Sequence, residues 1–247
     1  MAVDLEGNKE VIAHVRGAPM GLGFLPDGRL LIVSMMDGLL LRREHDGQLV
    51  VHADMSRLSG YPWSDMVVDG RGNAYVGNLG FDFPGGEFAP GFLVLVTRDG
   101  EVSRVADGFA FPNGMVVTPD NKTLIIAESY AHKLTAFDID ATGQLSNRRT
   151  WAELGGDFPD GICLDAEHAV WYAEVPAKHC VRVREGGEVL QTVEFDRGCF
   201  ACMLGGTERK TLFMMGAEYP PASWGPDAPR TGRVLTIQAP VPGAGWP

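Results

Sequence analysis

One repeated pattern limits what this chain can fold into. Segments 21–34, 65–78, 114–128, 161–174 and 201–215 each run as apolar strand, tight turn, apolar strand. Their turns fall near residues 27, 70, 120, 166 and 206, so the unit recurs after 43, 50, 46 and 40 residues. A second set of turns lies between them: Glu6-Gly7, Asp46-Gly47, Asp99-Gly100, Asp140 to Gly143, and Gly186-Gly187. Asp-Gly between apolar runs marks a hairpin, because glycine takes positive φ without steric cost. Each period therefore holds two hairpins, or four strands. Four strands in roughly 40–50 residues is the signature of a β-propeller blade. No segment sustains the 3.6-residue apolar period of a helix. The expectation is an all-β chain of four-stranded antiparallel blades, read as one domain over residues 1–247.

The bulk numbers narrow the function classes. The chain has 247 residues, 45% of them hydrophobic, which is enough for a true core. Its net charge of −11 argues against nucleic acid or an anionic membrane as partner, since both are polyanions. No apolar run approaches the ~20 residues of a membrane span. The opening Met1-Ala-Val-Asp has neither the basic flank nor the apolar block of a signal peptide, so a cytoplasmic location is expected. Cys163, Cys180, Cys199 and Cys202 do not form a disulfide framework. Cys199 and Cys202 have the spacing of half a zinc knuckle, but their surroundings read as a buried strand, and structural cysteines are the expectation.

Five further segments are similar to one family. They are Leu25-Pro-Asp-Gly-Arg-Leu-Leu, Phe111-Pro-Asn-Gly-Met, Leu134-Thr-Ala-Phe-Asp-Ile, Pro159-Asp-Gly-Ile-Cys-Leu-Asp and Pro242-Gly-Ala-Gly-Trp-Pro247. Together they resemble the senescence-marker protein, gluconolactonase and luciferin-regenerating-enzyme family, the regucalcin-like propellers. The resemblance implies a six-bladed propeller with one divalent cation on its axis, held by a Glu, two Asn and an Asp. It also implies hydrolysis of sugar lactones and other cyclic esters.

The chain departs from that pattern twice. It has no Glu-Gly-Pro, the motif that carries the family's Glu, and by alignment it starts inside the first blade, about 40 residues late. Where the family usually has Asn-Asp it has Ser64-Asp65. The expected architecture is thus six-bladed in type with an incomplete first blade, and the alternative is a five-bladed closure. An incomplete blade exposes a sheet edge, which invites self-association.

The candidate site follows from the phase of the repeat. Residues at the start of each blade's innermost strand should converge at one end of the channel. Ser64, Asn113 and Asp160 hold that phase. Their hydroxyl, amide and carboxylate oxygens are hard donors, suited to Ca²⁺ first, and also to Mg²⁺ or Mn²⁺. The absence of His and Cys at these positions lowers the case for Zn²⁺ without removing it. With a cation as Lewis acid, Asp160 is the catalytic residue that takes a proton from water. Against this stands the plain reading, in which Asn and Asp before Gly simply form turns.

Trp63, Phe111, Glu128 and Tyr219 are the candidate substrate-pocket residues, with Phe81 and Phe83 as further aromatic candidates. Each is read either as a pocket wall or as packing, and Glu128, like Glu174, also as a salt-bridged carboxylate. The functional expectation is a metal-dependent lactonase-type hydrolase acting on a small sugar lactone or related ester. The alternative is a non-enzymatic or impaired binding propeller.

Overall fold

Every turn marked in the sequence closes a hairpin. Gly7, Gly28, Gly47, Gly72, Gly100, Gly143, Gly186 and Gly187 all take positive φ, between 85° and 95°. Aspartate side chains hold several of these turns from within. Asp69 Oδ1 accepts from the backbone N–H of Arg71 (2.9 Å) and of Asn73 (2.9 Å). Asp165 Oδ1 does the same for Glu167 (2.9 Å) and Ala169 (3.1 Å). Both aspartates are fully buried, so the turn geometry is fixed by satisfied polar groups away from water.

The computed structural model describes residues 1–4, 6–220 and 229–245. The chain packs as two compact units, Met1–Asp107 and Gly108–Trp246. The first unit opens with a two-stranded ribbon, β1 (Ala2–Val3) and β2 (Lys9–Glu10). One blade follows in the order β3 (Pro19–Phe24), β4 (Leu30–Ser34), β5 (Leu39–Arg43), β6 (Leu49–Asp54). The next is β7 (Trp63–Val68), β8 (Ala74–Asn78), β9 (Gly91–Val96), β10 (Val102–Phe109).

The second unit holds β11 (Pro112–Val117), β12 (Thr123–Glu128), β13 (Lys133–Ile139) and β14 (Leu145–Glu153), with a 3₁₀ turn at Ser129–Ala131. Then come β15 (Pro159–Leu164), β16 (Val170–Glu174), β17 (His179–Val183) and β18 (Val189–Glu194). Last is a three-stranded sheet of β19 (Gly198–Gly205), β20 (Thr211–Ala217) and β21 (Arg233–Gln238). All pairings are antiparallel.

The fold class is therefore an all-β propeller of four-stranded antiparallel blades, with five blades among the described residues. Five is the alternative count, and it replaces the expected six. Ala2–Val3 and Lys9–Glu10 pair with each other as a separate ribbon and are not part of a blade. The terminal Pro242-Gly-Ala stretch packs on the β15–β16 turn, through Ala166 N–H to Pro242 O (2.8 Å) and Ala244 N–H to Leu164 O (3.0 Å). Trp246 and Pro247 of the family-like motif lie outside the described residues.

Burial grades across each blade. Central strands such as β8 and β9 are buried on both faces and read as near-continuous apolar runs. Fourth strands such as β10 and β14 are largely exposed and polar. In the first unit Leu31, Val33, Leu40, Trp63, Val76 and Val94 form one core cluster. In the second, Ile125, Leu134, Trp151 and Tyr172 form another. Each fully buried aliphatic side chain contributes roughly 1.5–3 kcal/mol. The strand β3 differs from its counterparts: Met20, Leu22 and Phe24 all face solvent.

All four cysteines are free and buried. They share one cluster with Trp171 and Met214, with the sulfurs of Cys163 and Cys202 3.9 Å apart and Cys180 touching Cys199 and Cys202. The neighbouring Cys202 sulfur and burial push the Cys163 thiol well up, and burial raises Cys180 and Cys202. Neutral packed thiols are structural groups, as the sequence suggested.

Candidate functional site

The first strands of the blades share one irregularity. In β11, Pro112 pairs with Glu128 and Met115 with Ile126, so Asn113 and Gly114 together oppose one residue. In β15, Pro159 pairs with Glu174 and Ile162 with Tyr172, which leaves Asp160 and Gly161 in the same bulge. In β7 the bulge holds Ser64 and Asp65, and in β3 it holds Met20 and Gly21. In β19 the shift falls at Phe200. A bulge adds one residue, twists the strand and re-aims a side chain. The sequence predicted Ser64, Asn113 and Asp160 just ahead of their strands. They lie inside the strands, second in each, and each takes the same place in its own strand's bulge.

Within the second unit these bulges are neighbours. β11 lies against β15, and β15 against β19. Glycine makes the approach feasible. A Cβ on Gly114 would stand 2.5 Å from Ile162 N and 2.6 Å from Asp160 O. A Cβ on Gly161 would stand 2.8 Å from the Ala201 Cα. Asn113 and Asp160 are therefore on adjacent strands at equivalent positions, each partly buried. In the first unit Gly21 of β3 plays the same role against Asp65 and Met66 of β7.

A residue absent from the sequence reading fixes Asn113. Ser129, 6% exposed, donates its hydroxyl proton to Pro159 O at 2.7 Å. A carbonyl can only accept, so Ser129 Oγ must accept from its other partner. That partner is Asn113 Nδ2, at 3.2 Å. The amide nitrogen is held on the serine side, and Oδ1 is turned away as an acceptor. The same serine ties the β11 blade to the residue that precedes Asp160.

Glu128 and Glu174 occupy matching positions at the ends of β12 and β16, both buried. Glu128 accepts from Ala110 N–H (2.9 Å), the Thr135 hydroxyl (2.5 Å) and Arg148 (3.0 Å). Glu174 accepts from Phe158 N–H (3.2 Å) and from Ala177 N–H. These carboxylates hold the loops that lead into Pro112-Asn113 and Pro159-Asp160. Glu128 is thus an internal anchor whose oxygens are committed, not an open pocket group.

The aromatic candidates separate into two kinds. Trp63 is 1% exposed and packs edge-on to Phe92 in the first unit's core, so it is packing and not a wall. Phe81 and Phe83 form their own cluster with Phe88. Phe111 takes a φ of 64°, rare for a bulky residue, and its ring stacks on Tyr130 with centroids 4.7 Å apart. Tyr219, 38% exposed, meets Phe200 at 6.3 Å. Phe200 stands at the bulge phase of Asn113 and Asp160, and placing Ala201 in register with Gly114 and Gly161 would have found it.

In the first unit Ser64 is buried. Beside it, burial pushes the Asp65 carboxyl up to about 6. Asp65 fills the bulge position that is glycine in three other blades. The donor set tests the implied cation. Asn113 Oδ1 and the Asp160 carboxylate are hard oxygens on adjacent strands, which fits a hard divalent ion as two of its ligands. Among the described residues no group of three or more His, Cys, Asp or Glu is placed to hold a metal.

The profile of the SMP-30/Gluconolactonase/LRE-like region matches residues 1–218, and the chain belongs to this family. The chain is 32% identical to regucalcin of Xenopus laevis over 154 residues, which is 60% of this chain and 51% of that one. It is 28% identical to diisopropyl-fluorophosphatase of Loligo vulgaris over 205 residues, 72% of this chain and 64% of the enzyme. A calcium-binding regucalcin from Agrobacterium tumefaciens superposes with a TM-score of 0.77 at 20% identity, covering 93% of this chain and 78% of that one. This last likeness is one of fold. The chain spans about half the length of the curated regucalcins it matches. Among the described residues no helix is long and apolar enough to cross a membrane.

Proposed function

We propose that this chain is a metal-dependent hydrolase of the lactonase type, acting on a small lactone or related ester. The observation that carries the reading is the bulge pair: Asn113 and Asp160 stand at one phase on adjacent strands, with the Asn113 amide oriented by Ser129. Asn113 Oδ1 and the Asp160 carboxylate would hold a divalent cation, with Ca²⁺ favoured by their hard oxygens. A bound cation supplies Lewis-acid polarisation of the ester carbonyl. Asp160 accepts a proton from the attacking water. The water oxygen bonds to the carbonyl carbon, the acyl C–O bond of the ring breaks, the proton passes from Asp160 to the leaving ring oxygen, and the product is a hydroxy acid. The four free buried thiols support a reducing compartment, and we place the protein in the cytoplasm on that ground.

The test is hydrolysis of a lactone panel by the purified chain with Ca²⁺, Mg²⁺, Mn²⁺ or Zn²⁺ supplied in turn. Activity is expected with at least one cation, and Asp160→Ala should lose it by ~10²-fold or more while keeping its circular dichroism. An Asp160→Ala variant as active as the parent would remove the mechanism. The second reading, a binding propeller without turnover, is favoured by the sparse donor set. Turnover of any lactone excludes it.

A further inference from the structure

The flanks of the Asn113–Asp160 pair are aromatic. On one side Phe111, in the left-handed region at φ 64°, stacks on Tyr130, which is 42% exposed. On the other side Phe200 takes the bulge position one strand beyond Asp160 and packs with the exposed Tyr219. A bulky residue at positive φ costs on the order of 1 kcal/mol or more, and such cost gathers at functional sites. Phe111 immediately precedes Pro112-Asn113, so the strained backbone lies at the entry to the strand that carries Asn113.

From this arrangement, and resting on the hydrolase reading above, we propose that the substrate carries an aromatic or similarly flat apolar ring next to its scissile ester or lactone. That ring sits between the Phe111–Tyr130 pair and the Phe200–Tyr219 pair, with the carbonyl at Asn113 and Asp160. The chemistry separates this class from polyhydroxylated lactones. Each sugar hydroxyl taken out of water needs a hydrogen-bond partner, and ring carbons offer none. A flat apolar ring gains dispersion and offset or edge contacts from the same walls.

The experiment compares kcat/KM for dihydrocoumarin and for glucono-1,5-lactone in one calcium buffer. A ratio of about tenfold or more in favour of dihydrocoumarin is expected, and Phe200→Ala and Phe111→Ala should each lower it by roughly three- to tenfold. A ratio is internally controlled, so partial loss of folded protein leaves it unchanged. A preference for glucono-1,5-lactone, or a ratio that neither variant moves, overturns the proposal.

Binding keeps it separable from the hydrolase reading. Saturation-transfer NMR compares the two hydroxy-acid products, 3-(2-hydroxyphenyl)propanoate and gluconate. If neither lactone turns over but the aryl acid binds and Phe200→Ala abolishes its signal, the hydrolase reading fails and the aromatic subsite stands. If gluconate binds and the aryl acid does not, the subsite is wrong whatever the turnover.

Discussion

Asn113 can serve as a ligand only if its oxygen, and not its nitrogen, is turned away from Ser129. One serine decides this. Ser129 gives its proton to Pro159 O and can only accept from the amide, so the orientation follows from proton counting. Ser129→Ala is expected to weaken calcium binding by about tenfold, the worth of one buried hydrogen bond, with the secondary structure intact. Titration calorimetry checks it, and an unchanged affinity would mean that the amide is held by something else. Nothing in the local sequence marks Ser129, because its partners lie 16 and 30 residues away. Asn113 and Asp160 were legible for the opposite reason: each sits beside its own glycine, in phase with the repeat. Glu128 was readable as a carboxylate at a strand end. Its commitment to Ala110, Thr135 and Arg148 depends on chain neighbours that only the fold brings together.

Among the elements, the first strands carry most of the information. The hairpins could be read directly, since turn chemistry is local and Asp-Gly declares itself. The bulges could not, because a bulge is a mismatch in register between two strands and exists only when both are paired. The glycine that follows Asn113, like the one that follows Asp160, serves packing between blades. Gly114→Ala puts a methyl 2.5 Å from a backbone nitrogen of β15. It is expected to destabilise by about 1–3 kcal/mol, the usual cost of overpacking. Gly156→Ala, in open space at ordinary φ, should be neutral or slightly stabilising. Urea midpoints of the two variants compare them directly. Equal midpoints would show that β11 and β15 do not approach as closely as described.

Across the whole chain, the blade plan and the family were both visible in the residues, because the same apolar hairpin recurs five times. The blade count was not, since it turns on whether short end segments join a blade or pair with each other, and Ala2–Val3 and Lys9–Glu10 do the latter. The cysteines give the chain a global probe. All four are buried, and Cys163, Cys180 and Cys202 have raised thiol values, so a thiol reagent should label none in native buffer and four in denaturant. Rapid native labelling would contradict the buried cluster.

The proposed function requires two side chains, one blade apart, to serve one ion. Calcium titration calorimetry on the parent, Asn113→Ala, Asp160→Ala and the double variant tests this most directly. Each single variant is expected to lose about tenfold or more in affinity, and the double variant little beyond the worse single one, because ligands of one ion couple. Losses that simply add, or calcium bound as tightly by both single variants as by the parent, would contradict it.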